Sequence, residues 1–263
     1  PKAGITYRAS EASRLYISYA RAQREPNRSD YENGTPKPAS LNDFEAGWRF
    51  KKEKVQLQAN LYYMDYENQL VLTGALDAVG EPIRTNSGDS YRFGLEIEAA
   101  IQFAEQWVWQ PNLALSSNKN KDFYFKRDGQ LQNLGTTNIS YSPNVVGASN
   151  LVFAPSTVFR VALLSKYVGE QFMGNIDADL SKLEAYFTND INISYVWTTN
   201  SWIKEAQFSL LVNNIFNALY TSNGYFYTFD DDYSVAGVVT TIEGVGYYPQ
   251  AGTNFLMGAT FRF

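Results

Sequence analysis

The sequence predicts an all-β protein, a transmembrane antiparallel up-and-down β-barrel of which about eleven strands lie in this chain. Three observations predict this class. Apolar and polar residues alternate with a period of two along most of the 263 residues. Short and long connections alternate strictly between the predicted strands. Aromatic residues make up 16% of the chain and lie near many of the predicted strand ends.

The alternation is clearest between residues 55 and 63, where apolar side chains take one face of an extended chain and Gln56, Gln58 and Asn60 take the other. A helix is excluded there because the apolar residues do not recur at three and four positions. The same pattern predicts eleven strands, at 4–10, 13–22, 40–50, 55–66, 87–102, 107–118, 142–153, 158–168, 184–197, 205–215 and 253–263.

The connections between these strands follow a rule of their own. The short ones are 11–12, 51–54, 104–106, 154–157 and 198–204, and the long ones are 23–39, 67–86, 119–141, 169–183 and 216–252. Outer-membrane barrels have tight periplasmic turns and long outer loops. A strand of about ten residues, tilted near 45°, also crosses the apolar slab. A soluble β-sandwich used for adhesion remains the alternative, because a sandwich also hides one face of each sheet.

The strand count is odd, whereas bacterial single-chain barrels have an even number. An open sheet would also leave unpaired backbone groups in hydrocarbon, at a cost of several kcal/mol for each group. We therefore expect residues 1–263 to be the C-terminal half of a barrel, with the other strands before Pro1. Rings near the strand ends, at headgroup level, fit this picture; they include Phe44, Trp48, Phe50, Trp107, Trp109, Tyr195 and Trp197.

Composition excludes several classes of function. The chain has no Cys and no His, which excludes thiol and imidazole chemistry, disulfides and zinc fingers within it. Its 22 basic and 27 acidic residues argue against a nucleic-acid partner. The carboxylates of Glu96 and Glu98 could do acid–base work, but no other residues support a glycosidase. We therefore predict that the protein is not an enzyme.

Several segments, taken in order, carry a resemblance to a known family. They are 1–5, 15–22, 24–28, 41–48, 212–220 and 247–252, followed by a last strand that ends at Phe263. Together they resemble the C-terminal half of the barrel of a TonB-dependent outer-membrane receptor, of the kind common in Bacteroidetes. Such a barrel has about 22 strands around a plug. The resemblance therefore implies an N-terminal plug and a first barrel half that this chain lacks.

The resemblance also implies a function and partners. The protein would import a bulky scarce nutrient actively across the outer membrane, with the TonB complex pulling on the plug. A ferric siderophore is the first expectation for the cargo, and cobalamin, haem, oligosaccharide or peptide are alternatives. The absence of His counts slightly against haem, whose iron often takes an imidazole ligand. The barrel would contact outer-membrane lipid and lipopolysaccharide, and a lipoprotein lid is possible. Phe263 resembles the terminal signal of outer-membrane assembly. A passive porin-like channel without a plug is the alternative class.

Three sets of side chains are candidates for chemistry. Arg24 and Arg28, with Tyr31 nearby, could meet an anionic ferric complex, or they could pair with neighbouring acids such as Glu45. A second set, in the loop at 225–233, could stack on a flat ligand and bind calcium, although a solvated acidic loop is the simpler interpretation; it comprises Tyr225, Tyr227, Asp230, Asp231, Asp232 and Tyr233. The third set is predicted to face the barrel lumen, either as a wall for plug or substrate or as an ion-pair network; it comprises Glu45, Glu96, Glu98, Arg160 and Lys166.

Overall fold

The computed structural model describes residues 1–32, 34–76, 82–86, 88–199 and 202–263. Eleven strands form a single antiparallel sheet, in which each strand pairs with the spanning strand before it and the spanning strand after it along the chain. They are β1 (Lys2–Arg8), β2 (Ser13–Arg24), β3 (Ala39–Lys52), β4 (Val55–Glu67), β7 (Ser90–Ala104), β8 (Trp107–Asn120), β12 (Val145–Phe153), β13 (Phe159–Val168), β16 (Tyr186–Thr198), β17 (Glu205–Asn213) and β20 (Asn254–Arg262). A short strand, β11 (Thr137–Asn138), also pairs with β8.

All eleven predicted strands are confirmed, with ends displaced by a few residues. The largest displacements, of three residues, are at the starts of β7 and β12, which begin at Ser90 and Val145. Strand β17 ends at Asn213, before its predicted end, because Asn214 takes a left-handed backbone conformation, with φ 50°, that cannot continue a strand. The predicted alternation of tight and long connections is also present.

The strand register sorts the side chains onto two faces. One continuous apolar row runs across the sheet through Ile5, Ile17, Ala46, Leu61, Leu95 and Leu115. The opposite face carries polar rows, such as Gln58 paired with Glu98 and Glu98 paired with Asn112. We call the first the lipid face and the second the lumen face.

The lipid face is uncovered. Ile5 is 69% exposed and Met257 is 74% exposed, and no second sheet of the described residues packs against them. A sandwich would bury these rows between two layers, so the soluble β-sandwich interpretation is wrong. An apolar surface of this extent is stable only in contact with an apolar medium.

Polar atoms on the lipid face find partners within the sheet. The indole nitrogen of Trp48 donates to Ser13 Oγ at 2.8 Å, and that of Trp109 donates to Ser149 Oγ at 2.8 Å. Each serine lies on a neighbouring strand. Because hydrocarbon offers no alternative partner, such internal pairing removes the cost of an unsatisfied donor.

The sheet does not close on itself. Every residue of β1 and of β20 is exposed, because the outer edge of each strand has no partner strand. Within the described ranges, none of the helices has the length and apolar character needed to cross a membrane. The helical segments are α1 (Arg28–Glu32) and a 3₁₀ turn at Asp179–Ser181.

The long connections, which the sequence predicts as loops, contain hairpins in the part of the chain that the structure describes, so this part of the prediction is wrong. Four hairpins lie there: β5 (Leu70–Leu76) with β6 (Pro82–Asn86), β9 (Tyr124–Arg127) with β10 (Gln130–Asn133), β14 (Gln171–Phe172) with β15 (Lys182–Leu183), and β18 (Thr221–Asp231) with β19 (Thr240–Pro249). Asp128 and Gly129 both have positive φ between β9 and β10, as a tight two-residue hairpin turn requires.

These hairpins pack together at one end of the sheet. Val71, Phe123 and Phe125 form a small buried cluster, against which Leu134 and Ile176 pack. Polar contacts join the hairpins further: Arg127 pairs with Glu243 at 2.7 Å, and Asp128 and Thr241 exchange two hydrogen bonds. We call this assembly the outer loop cap. Its parts hold one another in position, so side chains from distant segments can form a site.

Candidate functional site

Arg24 and Arg28, which the sequence places beside the same long connection, lie in different surroundings in the structure. Arg28 belongs to α1, is 95% exposed at its side chain and contacts Glu32 at 3.3 Å. An exposed ion pair of this kind contributes little to stability, and it occupies the guanidinium. Tyr31 is also exposed on this helix. The alternative that Arg28 pairs with a loop acid therefore describes the structure.

Arg24 lies in different surroundings. It ends β2 on the lumen-face side and lines a pocket of about 290 Å³ together with Arg84 of β6 and Arg92 of β7. The other lining residues are Gln69, Leu70, Val71, Ile139, Ser140 and Asn175. We call this the arginine pocket. In the described part of the chain, Arg24 has no carboxylate within ion-pair distance, so the predicted pairing with Glu45 does not occur.

The other two arginines of the pocket are only partly engaged. Arg84 Nη1 lies 3.9 Å from Asp30 Oδ1, at the outer limit for an ion pair. Arg92 Nη1 donates to Ser142 Oγ at 3.4 Å, and its Cζ lies 5.9 Å from the ring centre of Tyr66. The Nε of Arg92 is buried and has no hydrogen-bond partner.

Sequence reasoning missed both of these residues. Arg92 stands at an even spacing from Glu96 and Glu98, so the period of two already placed it on the lumen face. Arg84 could not have been found in this way, because it belongs to a hairpin in a connection that was treated as a loop.

The predicted aromatic segment forms an ordered surface on β18. The rings of Tyr225 and Tyr227 are stacked with centroids 6.2 Å apart, and those of Tyr227 and Phe229 with centroids 6.4 Å apart. Tyr248 on β19 approaches Tyr225 at 5.9 Å. We call Tyr225, Tyr227 and Phe229 the aromatic ladder. Tyr225 is 51% exposed, Phe229 is also exposed, and Tyr227 is partly exposed.

Two glycines make the ladder possible. Tyr225 pairs with Gly246 across the hairpin, and Tyr227 pairs with Gly244. A Cβ added at either glycine would lie 2.3 Å from the Cζ of the paired tyrosine. The rings therefore lie flat over the glycine backbone, in space that any other residue would fill.

The opposite face of the hairpin packs on neighbouring segments of the chain at the same end of the sheet. Tyr141 Oη donates to the Gly224 carbonyl at 2.6 Å, and Tyr247 Oη donates to the Leu180 carbonyl at 2.8 Å. Burial raises the pKa of the Tyr141 hydroxyl, so it stays a hydrogen-bond donor throughout the physiological range. The hairpin is thus held on one side, and its aromatic ladder is free on the other.

The acidic run at the end of this hairpin separates into individual contacts. Asp230 pairs with Lys126 at 3.3 Å, while Asp231 accepts hydrogen bonds from the amides of Tyr233 and Ser234. The side chain and amide of Ser234 lower the pKa of the Asp231 carboxyl. Asp232 and Tyr233 are exposed. In the ranges that the structure describes, no group of three or more acidic side chains could hold a metal ion. Calcium binding at this run stays a prediction.

The five charged residues predicted for the lumen all occupy strand positions whose side chains point to the lumen face. Glu45 pairs across the strands with Tyr62, Glu96 with Asn60, and Lys166 with Ala148. Arg160 lies opposite Ser194, and Glu98 lies opposite Gln58. Among the described side chains no ion pair joins any of the five, and their role as a polar wall or as an ion-pair network stays a prediction.

Phe263 follows β20, and its ring lies 4.8 Å from that of Trp202. Both rings stand at the short-turn end of the sheet, beside the start of β17 and the end of β20. The role of Phe263 as an assembly signal stays a prediction.

Comparison with known proteins gives sequence relatives and similar folds. The catecholate siderophore receptor Fiu of Escherichia coli strain K12 is 21% identical over 280 residues, which covers 100% of this chain and 32% of the relative. Its solved closed form superposes with a TM-score of 0.68 over 100% of this chain and 34% of that chain.

Two further solved structures share the fold. The ferric yersiniabactin uptake receptor FyuA of Yersinia pestis has a TM-score of 0.67 at 17% identity, over 100% of this chain and 37% of that chain. The copper transporter OprC has a TM-score of 0.71 at 17% identity, over 100% of this chain and 39% of that chain. The chain thus spans about a third of the length of the curated relatives that it matches.

The family model described as TonB dependent receptor-like, beta-barrel, matches residues 1–217. Its members are outer-membrane transport receptors rather than enzymes, and they have a plug domain and work with TonB. The comparisons do not show an origin in Bacteroidetes, which stays a prediction. With its open antiparallel sheet, apolar lipid face and outer loop cap, this chain belongs to the β-barrel family of TonB-dependent receptors of the outer membrane.

Proposed function

We propose that the protein containing this chain imports a ferric siderophore complex across the outer membrane by a TonB-dependent mechanism. The observation that carries the cargo class is the composition of the outer loop cap. It presents the exposed rings of Tyr225 and Phe229 at the ladder, and together with the ends of β2 and β7 it forms the arginine pocket, which presents guanidinium groups. Siderophore complexes that are aromatic and anionic match both surfaces, because rings stack and guanidinium groups bind oxygen anions.

The two surfaces belong to one connected structure. Strand β18 carries the aromatic ladder and packs against β5, the strand that contributes Val71 to the arginine pocket. The names of the relatives support the same cargo class, since Fiu is described as a catecholate siderophore receptor and FyuA as a ferric yersiniabactin uptake receptor. The OprC structure is that of a copper transporter, so it supports the fold of this chain but not the cargo class.

The remainder of the machinery is part of the same proposal. We propose that a plug domain and eleven further strands precede Pro1, and that the TonB complex acts on that plug. Outer-membrane lipid and lipopolysaccharide would surround the lipid face. A lipoprotein lid over the outer loop cap is compatible with this arrangement.

Uptake by cells that express the full-length protein tests the proposal. Cells should accumulate iron supplied as ferric tris-catecholate, and accumulation should stop when TonB is deleted. Accumulation that continues without TonB would instead identify a passive channel. Uptake of cobalamin, haem, oligosaccharide or peptide with no uptake of ferric complexes would contradict the cargo class.

A further inference from the structure

We propose that a groove on the lipid face binds one acyl chain of a lipopolysaccharide molecule, and that Arg21 binds a phosphate group of the same molecule. This inference rests on the proposed contact between the lipid face and outer-membrane lipid, and it assigns that contact to particular residues. It does not depend on the cargo.

The groove lies between two rows of side chains that run across neighbouring strands. Its wall on the side of the long loops consists of four rings in direct cross-strand register, which are Tyr19, Phe44, Tyr63 and Phe93. Its wall on the side of the short turns is the apolar row at Ile5, Ile17, Ala46 and Leu61. The space between the two rows has a volume of about 460 Å³. We call it the lipid groove.

Two contacts hold the lipid groove open. Tyr19 Oη donates to Asn42 Oδ1 at 2.9 Å, and the ring of Tyr63 stacks on that of Tyr91 with centroids 6.2 Å apart. Asn42 and Tyr91 belong to the next row toward the long loops, so these rings lean away from the opposite wall. In that wall, Ala46 has only a methyl group as its side chain. The backbone between the rows is therefore left uncovered as the floor of the groove.

The shape and lining of the lipid groove fit a hydrocarbon chain. The groove is continuous with the lipid face, and its walls are open to the surroundings, with Ile17 59% and Phe44 48% exposed. An unfilled groove would leave these side chains without partner atoms on one side, and dispersion contacts would be lost. Four interstrand spacings separate β1 from β7, a distance of roughly 19 Å. The groove is thus long and narrow, like an extended acyl chain.

The position of the groove along the strands identifies the lipid. Tyr19 and Arg21 lie on the same face of β2, and Arg21 is one row closer to the long loops. Because the long loops of outer-membrane barrels face outward, the lipid belongs to the outer leaflet. Arg21 is exposed, and within the described ranges it forms no ion pair. A guanidinium binds phosphate bidentately, and lipopolysaccharide carries both phosphate groups and acyl chains.

The full-length receptor, purified in detergent and freed of bound lipid, provides the test. Native mass spectrometry would measure dissociation constants for added lipopolysaccharide and for added phosphatidylethanolamine. We suggest Ala46→Leu, which fills the groove, Ala46→Ser, which leaves it open, and Arg21→Gln, which removes the charge. Ala59→Leu is the matched control, because Ala59 pairs with Trp48 in the next row toward the short turns and does not line the groove.

We expect Ala46→Leu to weaken lipopolysaccharide binding by roughly tenfold, the effect of about two methylene groups that no longer reach the floor. Arg21→Gln should weaken it by a similar factor and make it less sensitive to salt, because a charge-assisted contact is lost. Ala46→Ser and Ala59→Leu should leave the constant unchanged, and phosphatidylethanolamine should bind more weakly than lipopolysaccharide. Arg21 is exposed, so Arg21→Gln still tests the site if the melting temperature shows that Ala46→Leu folds poorly.

Several results would overturn the assignment. An unchanged constant in Ala46→Leu would remove the groove from the lipid site, and an unchanged constant in Arg21→Gln would remove the phosphate contact. Equal losses in Ala46→Leu and Ala59→Leu would show a general effect of the lipid face. Tighter binding of phosphatidylethanolamine than of lipopolysaccharide would contradict the choice of lipid.

Two further outcomes separate this inference from the proposed function. If the unmodified receptor binds neither lipid, the proposed contact with outer-membrane lipid fails together with the groove. If the lipid results hold and the same samples do not bind ferric tris-catecholate, only the proposed cargo class is wrong.

Discussion

Asn214 shows how a single side chain can fix the rim of the sheet. It is buried, and its amide nitrogen donates to the carbonyls of Ala218 and Ala251 at 2.9 and 3.3 Å. Its side-chain oxygen accepts from the Ala218 amide, and its own backbone amide donates to Asp190 at 2.7 Å. One residue thus joins the end of β17 to the segments before β20.

Replacing Asn214 by Ala should destabilise the full-length protein by about 1–3 kcal/mol, because buried backbone groups lose their partners. Denaturant unfolding in lipid vesicles would measure the difference. Asn213→Ala is the matched control, since Asn213 makes an exposed hydrogen bond to Asn254 at 2.9 Å and should cost much less. Equal effects of the two substitutions would argue against the role of Asn214 in joining the end of β17 to the segments before β20.

Asp231 gives a prediction about pH at the same scale. Its pKa is lowered by the side chain and amide of Ser234, so the ionised carboxylate stabilises the turn after β18. A depressed folded pKa means that this contribution is present above the ordinary carboxyl pKa and is lost as the pH falls through the folded value. NMR titration of the Ser234 amide should follow the lowered pKa, and the Asp231→Asn variant should abolish that titration. A transition at the ordinary aspartate pKa would contradict the turn geometry.

At the scale of the element, the β18–β19 hairpin has two unlike faces. Phe226 packs over Gly174 and Thr228 is buried, both on the face that meets the rest of the outer loop cap. The aromatic ladder occupies the other face. The hairpin can therefore present the rings of the ladder to a ligand on one face while the contacts of its other face keep it in position.

Gly246→Ala should displace the Tyr225 ring, because the new Cβ would lie 2.3 Å from Cζ of that ring. If the ladder stacks on cargo, affinity for ferric tris-catecholate should fall by about threefold to tenfold, the range expected for one aromatic contact. Gly34→Ala is the control, since no atom lies within 4 Å of its added Cβ. Full affinity with a displaced ring would exclude the ladder from the site.

At the scale of the whole molecule, the two faces of the sheet must meet different media. Ile97 points to the lipid face and is 40% exposed, whereas its neighbour Glu96 points to the lumen face. The loss of folding free energy when a charged side chain is placed on one face or the other therefore reports which face contacts lipid.

Ile97→Arg should destabilise the folded receptor in vesicles by about 2–4 kcal/mol, the cost of a basic side chain facing lipid near the midplane. Glu96→Arg places the same side chain on the lumen face and should cost clearly less. Denaturant unfolding of both variants in vesicles provides the comparison. Equal costs would mean that Ile97 does not contact acyl chains.

The spanning strands could be predicted because a membrane imposes the period of two on every one of them, as 55–63 shows. The hairpins of the outer loop cap could not, since local turns and neighbouring loops, rather than a shared medium, determine them. Asp128-Gly129 was a readable signal for one hairpin. Arg84 had no such signal, because its place beside Arg24 and Arg92 depends on contacts between segments far apart in sequence.

The direction of β1 and β20 limits how a barrel can be completed from this sheet. Both strands run from the loop end toward the turn end, so they are parallel to each other. A strand that pairs antiparallel with either of them must run the opposite way. An antiparallel barrel that contains this sheet therefore needs an odd number of further strands, which makes its total number of strands even.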